Sequence, residues 1–190
     1  MSVYAFDKID GSNIRAEWSK KSGFYKFGSR HRLLGSDQLI ISEAETIVKE
    51  QWADNLSSIF RENGWERAIA FFEFWGDNSF AGYHQEEPHR LSLIDVNQYK
   101  KGILNPKEYI ELFGHLDIAP LLYHGPCDHN LISAVKNSTL DGMTLEGVVC
   151  KAKNPKKTQM PVMFKIKSET WIKRLKEFCK GDEKLYQQLM

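Results

Sequence analysis

Lys8 opens the run Lys8-Ile9-Asp10-Gly11-Ser12-Asn13, and two distant segments, Glu146-Gly147-Val148-Val149 and Lys165-Ile166-Lys167, add a carboxylate and two further ammonium groups. A lysine is a nucleophile only through its neutral fraction, so a catalytic lysine needs desolvation or cationic neighbours that lower its pKa. Lys165 and Lys167 can supply that neighbourhood. In an extended segment, residues two apart share a face, so the Lys-x-Lys pair aims both ammonium groups into one site. Two clustered cations also suit a triphosphate. The chemistry that these residues describe is attack by a lysine on phosphorus, that is, covalent nucleotidyl transfer.

Singly, each piece is weak, because a Lys-x-Asp-Gly string also describes an ordinary turn after a strand. Their order gives them weight. Ser2 to Phe6 reads as a short strand, and Asp10-Gly11 is turn chemistry in which glycine takes a positive φ, so Lys8 sits at a strand end. Alternation predicts a hairpin over 13–18 and 23–27. Ser42 with Glu45 forms a capping box, and Val48, Trp52, Leu56, Ile59 and Phe60 recur at helical spacing until Asn63-Gly64, with Trp52 in the core. Strands are predicted over 68–75, carrying Glu73, and over 91–96, carrying Asp95. Glu73 is costly to bury unless it binds something, such as a ribose hydroxyl. Asn105-Pro106 starts a helix that Gly114 ends. Further strands are expected over 118–123, 147–152 and 162–166, a short helix over 131–135, and an amphipathic helical tail from about 169. The elements lack regular strand-helix alternation, which favours α+β with mainly antiparallel sheets around a nucleotide cleft.

Taken in order, the motifs resemble those of the ATP-dependent RNA ligases of the RNA ligase 2 type, within the superfamily of polynucleotide ligases and mRNA capping enzymes. Lys8 to Gly11 looks like the superfamily's first motif, and Ser12-Asn13 looks like its continuation in the RNA ligase branch. Phe71 to Gly76 is similar to the glutamate-bearing strand motif. Leu93-Ile94-Asp95-Val96 falls where an aromatic followed by aspartate is usual, and departs from it at Ile94. Glu146 to Val149 and Lys165 to Lys167 match the last two motifs without substitution.

The resemblance implies the nucleotidyltransferase fold of ligase adenylation domains, with helices flanking antiparallel sheets around an ATP cleft. It implies that Lys8 takes AMP from ATP, passes it to an RNA 5′-phosphate, and that a 3′-hydroxyl then seals the strand. Glu73 would hold the ribose, Asn13 would contact the sugar or phosphate, and Asp95 with Val148 would frame the base. An arginine in the stretch 29–32, Arg30 or Arg32, would reach phosphates or the RNA end. Glu146, with help from Asp10, is suited to position a hydrated magnesium, for which manganese could substitute. Lys165 and Lys167 would neutralise charge at the α-phosphate.

Composition fits this reading. A chain of 190 residues suits one domain, and three scattered cysteines, Cys127, Cys150 and Cys179, argue against a disulfide framework. With no leader-like run and no long apolar stretch, the cytoplasm is the default location. The flanks of the motifs leave too little chain for an OB domain, so a single adenylyltransferase domain is expected. RNA engagement would then lean on a separate C-terminal domain, an accessory protein or a dimer. Net charge is only +1. Yet cations cluster in Lys20, Lys21, Lys26, Arg30 and Arg32 among Phe24, Tyr25 and Phe27, and again from Lys151 to Lys176, as suits phosphate backbones. No P-loop or dinucleotide fingerprint is present. His124, Cys127 and His129 read as a polar turn rather than a zinc site. Two rivals stand beside the ligase: a GTP-using capping-type guanylyltransferase, and an inactive nucleic-acid-binding module of the same fold.

Overall fold

Alternating apolar residues build two antiparallel sheets, and the computed structural model describes residues 1–29, 37–77, 86–153 and 160–190 of them and their surroundings. The first sheet holds β2 (Ser12–Ser19), β3 (Gly23–Ser29), β4 (Arg67–Trp75), β5 (Arg90–Gln98) and β6 (Gly102–Ile103) in the order β3-β2-β4-β5-β6. The second holds β1 (Ser2–Asp7), β7 (Leu121–Pro126), β8 (Gly147–Ala152) and β9 (Val162–Lys167) in the order β7-β1-β8-β9. This is the α+β arrangement with antiparallel sheets and flanking helices.

One face of the five-stranded sheet is core. Ile14, Ala16 and Trp18 of β2 and Ala68, Ala70, Phe72 and Phe74 of β4 pack with Trp52, Leu56 and Phe60. These last three come from the helical layer α1 (Asp37–Ile47), a π turn (Val48–Trp52) and α2 (Ala53–Glu62). Trp18 Nε1 donates to Ser57 Oγ at 2.9 Å, which lets the indole be buried without losing its hydrogen bond. Burial of a side chain such as Phe60 contributes about 1.5–3 kcal/mol. The opposite face of β4, from Arg67 through Phe71 and Glu73 to Trp75, is the more open one.

Several predicted boundaries move. The first helix begins before Ser42, whose carbonyl accepts a bond from Thr46 Oγ1, while Glu45 pairs with Lys49 one turn on. The expected capping box therefore lies inside the helix. Residues 118–120 do not lead a strand but tie the sheets together, with Ala119 N donating to Leu93 O and Asp7 N donating to Pro120 O. The helices α3 (Pro106–Phe113) and α4 (His129–Lys136) stand near where they were expected. The tail is two helices, α5 (Glu169–Cys179) and α6 (Glu183–Leu189). They part at Lys180 and Gly181, whose φ values are +46° and +88°. Among the described residues no helix is long and apolar enough to cross a membrane.

Candidate active site

Lys8 leaves the end of β1 and is fastened on both sides. Just before it, the buried Asp7 carboxylate accepts bonds from Thr144 N at 3.0 Å and Thr144 Oγ1 at 2.9 Å. Burial holds the Asp7 carboxyl above its usual range despite these two bonds. Lys8 N itself donates to Gly147 O at 2.9 Å. The two ends of the sequence thus meet through backbone bonds, and the Lys8 side chain follows: Nζ donates to Glu146 Oε2 at 2.8 Å.

Glu146 has a second cation. Its Oε1 lies 3.2 Å from Lys167 Nζ, and the side chains of Lys167 and Glu146 are 8% and 5% exposed, against 20% for Lys8. Lys167 Nζ also stands 3.7 Å over the Trp171 ring. Burial pulls the Lys167 ammonium below its usual pKa, with Lys165 and Lys8 acting in the same direction and Glu146 opposing. Gly147 fixes this geometry. Its φ is +131°, and a Cβ there would meet Ile166 O at 2.1 Å, so only glycine lets Glu146 precede β8 in this register. From the other side, Ser168 N donates to Glu146 O at 3.0 Å and Ser168 Oγ to Leu145 O at 2.6 Å. The same hydroxyl caps α5 by accepting from Trp171 N.

The five-stranded sheet supplies the facing groups. Asn13 stands directly opposite Glu73 in the β2/β4 register, so both side chains share the open face. Burial pushes the Glu73 carboxyl up to about 8; Lys8 and the Gly11 N–H that it accepts from oppose this, and Glu146 and Asp10 raise it further. Gly11 is needed for room rather than for a positive φ, because a Cβ there would lie 2.3 Å from Phe74 O. Lys8, Asp10, Gly11, Asn13, Glu73, Glu146 and Lys167 are therefore gathered at one end of the cleft.

Three predicted residues stand differently. Asp95 reaches the open face because β5 carries a bulge: Phe72 pairs with Leu93 and Phe71 with Asp95, which leaves Ile94 as the extra residue. Once there, Asp95 is tied to Lys151 Nζ at 2.8 Å, and the Lys151 ammonium lies over the rings of Phe6 and Tyr109 at 4.8 and 5.1 Å. Burial raises the Asp95 pKa, with Lys151 opposing. Val148 points away from the cleft into a separate cluster with Val3, Ala5, Leu131 and Cys150. Strand alternation puts Val149 on the cleft face instead, level with Phe6 of β1 and Lys165 of β9. Lys165 shares that face, and its Nζ donates to Met190 O at 3.0 Å rather than to Glu146. Arg30 and its rival Arg32 lie outside the described residues.

Reading the sequence missed Asp7, Thr144, Lys151, Ser168 and Trp171. Two signals were available: Lys151 follows Val149 at the strand period, and Ser168 with Trp171 directly after Lys167 spells a helix N-cap. Of the aromatics among the early cations, Phe24 and Phe27 pack against the core, and Tyr25 is half exposed with its hydroxyl on Glu17.

Among the described residues no three His, Cys, Asp or Glu side chains converge as a metal cage. Glu146 and Asp10 are still hard oxygen donors of the kind magnesium accepts while keeping its waters, and both act on the same Glu73 carboxyl. They fit such an ion. It would share the Glu146 carboxylate with Lys167.

A model of the family described as RNA ligase matches residues 1–167. No curated protein matches the sequence at a significant level. Among solved structures, the Naegleria gruberi RNA ligase with PPi is similar at a TM-score of 0.64 and 14% identity, covering 93% of this chain and 52% of that one. A lysine-to-alanine variant of it with ATP and Mn gives 0.63 and 13%, covering 91% and 51%. A glutamate-to-alanine variant with AMP and Mn gives 0.60 and 12%, again covering 91% and 51%. At these identities the likeness concerns the fold, and the chain spans about half the length of the structures that it matches.

Proposed function

Because the chain belongs to the RNA ligase family, we propose that it is an ATP-dependent RNA ligase that works through a lysine-linked AMP on Lys8. The observation that carries this reading is the pair of ammonium groups, Lys8 and Lys167, on the two oxygens of one buried carboxylate, Glu146. Two cations meet one carboxylate there, which suits a polyphosphate, and the outer of the two is the solvent-accessible Lys8.

The substrate ATP enters with its ribose toward Glu73 and Asn13 and its base toward Val149. The neutral Lys8 amine attacks the α-phosphorus in line; the N–P bond forms, and the bond to the bridging oxygen breaks with its electron pair leaving on pyrophosphate. The Lys8 proton passes toward Glu146 Oε2. Lys167 and Lys165 stabilise negative charge as it develops. Glu146 and Asp10 would hold a magnesium ion, which when bound would further neutralise the charge of the triphosphate. AMP then passes to the oxygen of an RNA 5′-phosphate, and a 3′-hydroxyl displaces it to form the phosphodiester. Asp95 acts from behind the base pocket, through Lys151, rather than on the base.

The test is incubation with magnesium and α-labelled ATP or, separately, GTP, followed by denaturation. Label from ATP that is lost in Lys8→Ala supports the reading. Label from GTP alone indicates a capping-type transferase, and no label from either overturns the enzyme reading.

A further inference from the structure

Far from Lys8, three turns meet at one rim of the five-stranded sheet. Lys20 N donates to Glu66 O at 3.0 Å and Tyr99 N to Arg67 O at 3.2 Å, which brings together the β2–β3 turn, the start of β4 and the end of β5. The side chains there are basic: Lys20, Lys21, Arg67, Lys100 and Lys101, with Tyr99 52% exposed among them. Glu66 offsets one of these charges through a solvent-exposed pair with Lys20 at 3.2 Å.

The rim is organised. The Arg67 guanidinium lies 5.4 Å and the Lys100 ammonium 5.5 Å from the Tyr99 ring centroid, so one aromatic holds two cations by its π face. Lys100 does this from a left-handed backbone, φ +66°, that side-chain-bearing residues rarely adopt. Arg67 also shares its sheet face with Phe71 and Glu73. Six residues of strand separate Arg67 from Glu73, roughly 20 Å at about 3.4 Å per residue. The rim and the reaction site are therefore two stations on one side of the sheet, with the buried Asp95–Lys151 pair between them.

We propose that this rim binds the phosphate backbone of RNA, several nucleotides away from the end that reacts at Lys8. The inference rests on the ligase reading for the identity of the polymer. Charge complementarity supplies the attraction, and Tyr99 supplies order, because cations already held over a ring lose less freedom when a phosphate arrives. Two stations on one face also give the strand a direction across the sheet.

The experiment measures binding of a fluorescent single-stranded RNA of mixed sequence by anisotropy across a salt series, with self-labelling by ATP followed in parallel. Lys100→Ala/Lys101→Ala and Arg67→Ala are each expected to weaken binding about tenfold at low salt. The slope of log K against log salt should become shallower by about 0.7 for every phosphate that the variant no longer neutralises, while self-labelling stays unchanged. Tyr99→Leu keeps every charge but frees the two cations, and should give an intermediate loss. Unchanged affinity and slope in the charge variants, or no RNA binding by the unaltered protein, overturns the proposal. If the unaltered protein binds RNA but takes no label from ATP, the ligase reading falls, and the same salt series still decides whether the rim holds the strand.

Discussion

Two carboxylate–lysine assemblies stand in this cleft, and they differ in stoichiometry and in access to water. Glu146 has two ammonium partners, one of them 20% exposed. Asp95 has one, Lys151, which is 3% exposed and lies over two rings. The same chemical pair becomes a strut in one place and, in the function proposed here, a reactive cluster in the other. An excess cation with an opening to solvent can meet a phosphate; a balanced pair sealed between sheets can only hold them together.

The sharpest way to break this contrast is to remove one cation from each assembly. Lys151→Met should cost about 3–5 kcal/mol of stability in urea unfolding, because Asp95 is left buried and unpaired. Adding Asp95→Leu should recover most of it. Lys167→Ala should instead raise the barrier to Lys8 labelling by about 3 kcal/mol, on the order of a hundredfold in rate, and change stability far less because Glu146 keeps Lys8. If both variants lose stability equally, the distinction between strut and cluster is wrong.

A smaller effect separates the neighbouring valines. Val148→Ala should cost about 2 kcal/mol of stability by opening a hole in the cluster around Val3 and Leu131, and leave the KM for ATP alone. Val149→Ala should do the reverse. Per unit of pH, the change expected from Glu73→Gln is smaller still. Glu73 holds its proton in the folded state up to about pH 8, whereas the unfolded carboxyl releases it near 4.5. Folded chains then bind more protons than unfolded ones between those values, so stability falls as pH rises through that window, by at most about 1.4 kcal/mol per pH unit. Glutamine removes this slope. A stability profile that is equally steep in the variant places the titration elsewhere.

The legible parts of the sequence were those governed by local periods. Alternation predicted β2 and β3, and the Asn105-Pro106 start of α3 was plain from the fixed φ of proline. Lys8, Glu146 and Lys167 stood out because motif order compensates for weak single motifs. Strand period also separates Val149 from Val148, the residue that the family pattern singled out and that packs with Val3, Ala5 and Leu131. What could not be read was non-local. The β5 bulge that brings Asp95 to the open face leaves no turn residue as a signal, since Leu93-Ile94-Asp95 looks like ordinary strand. Nor does a lone lysine at 151 announce a partner 56 positions away. The second helix of the tail was hidden for the opposite reason: Lys180-Gly181 interrupts an amphipathic pattern that otherwise continues.

The bond between Lys8 and Glu146 spans 138 positions of sequence. During synthesis Lys8 leaves the ribosome ahead of Glu146, by roughly ten to thirty seconds at ordinary elongation rates. β1 has no neighbours until β7 and β8 emerge, because both of its sheet partners lie in the second half of the chain. A nascent chain therefore carries Lys8 as an ordinary solvated amine until β8 emerges. The Lys8–Glu146 pair forms only when β7 and β8 close on β1.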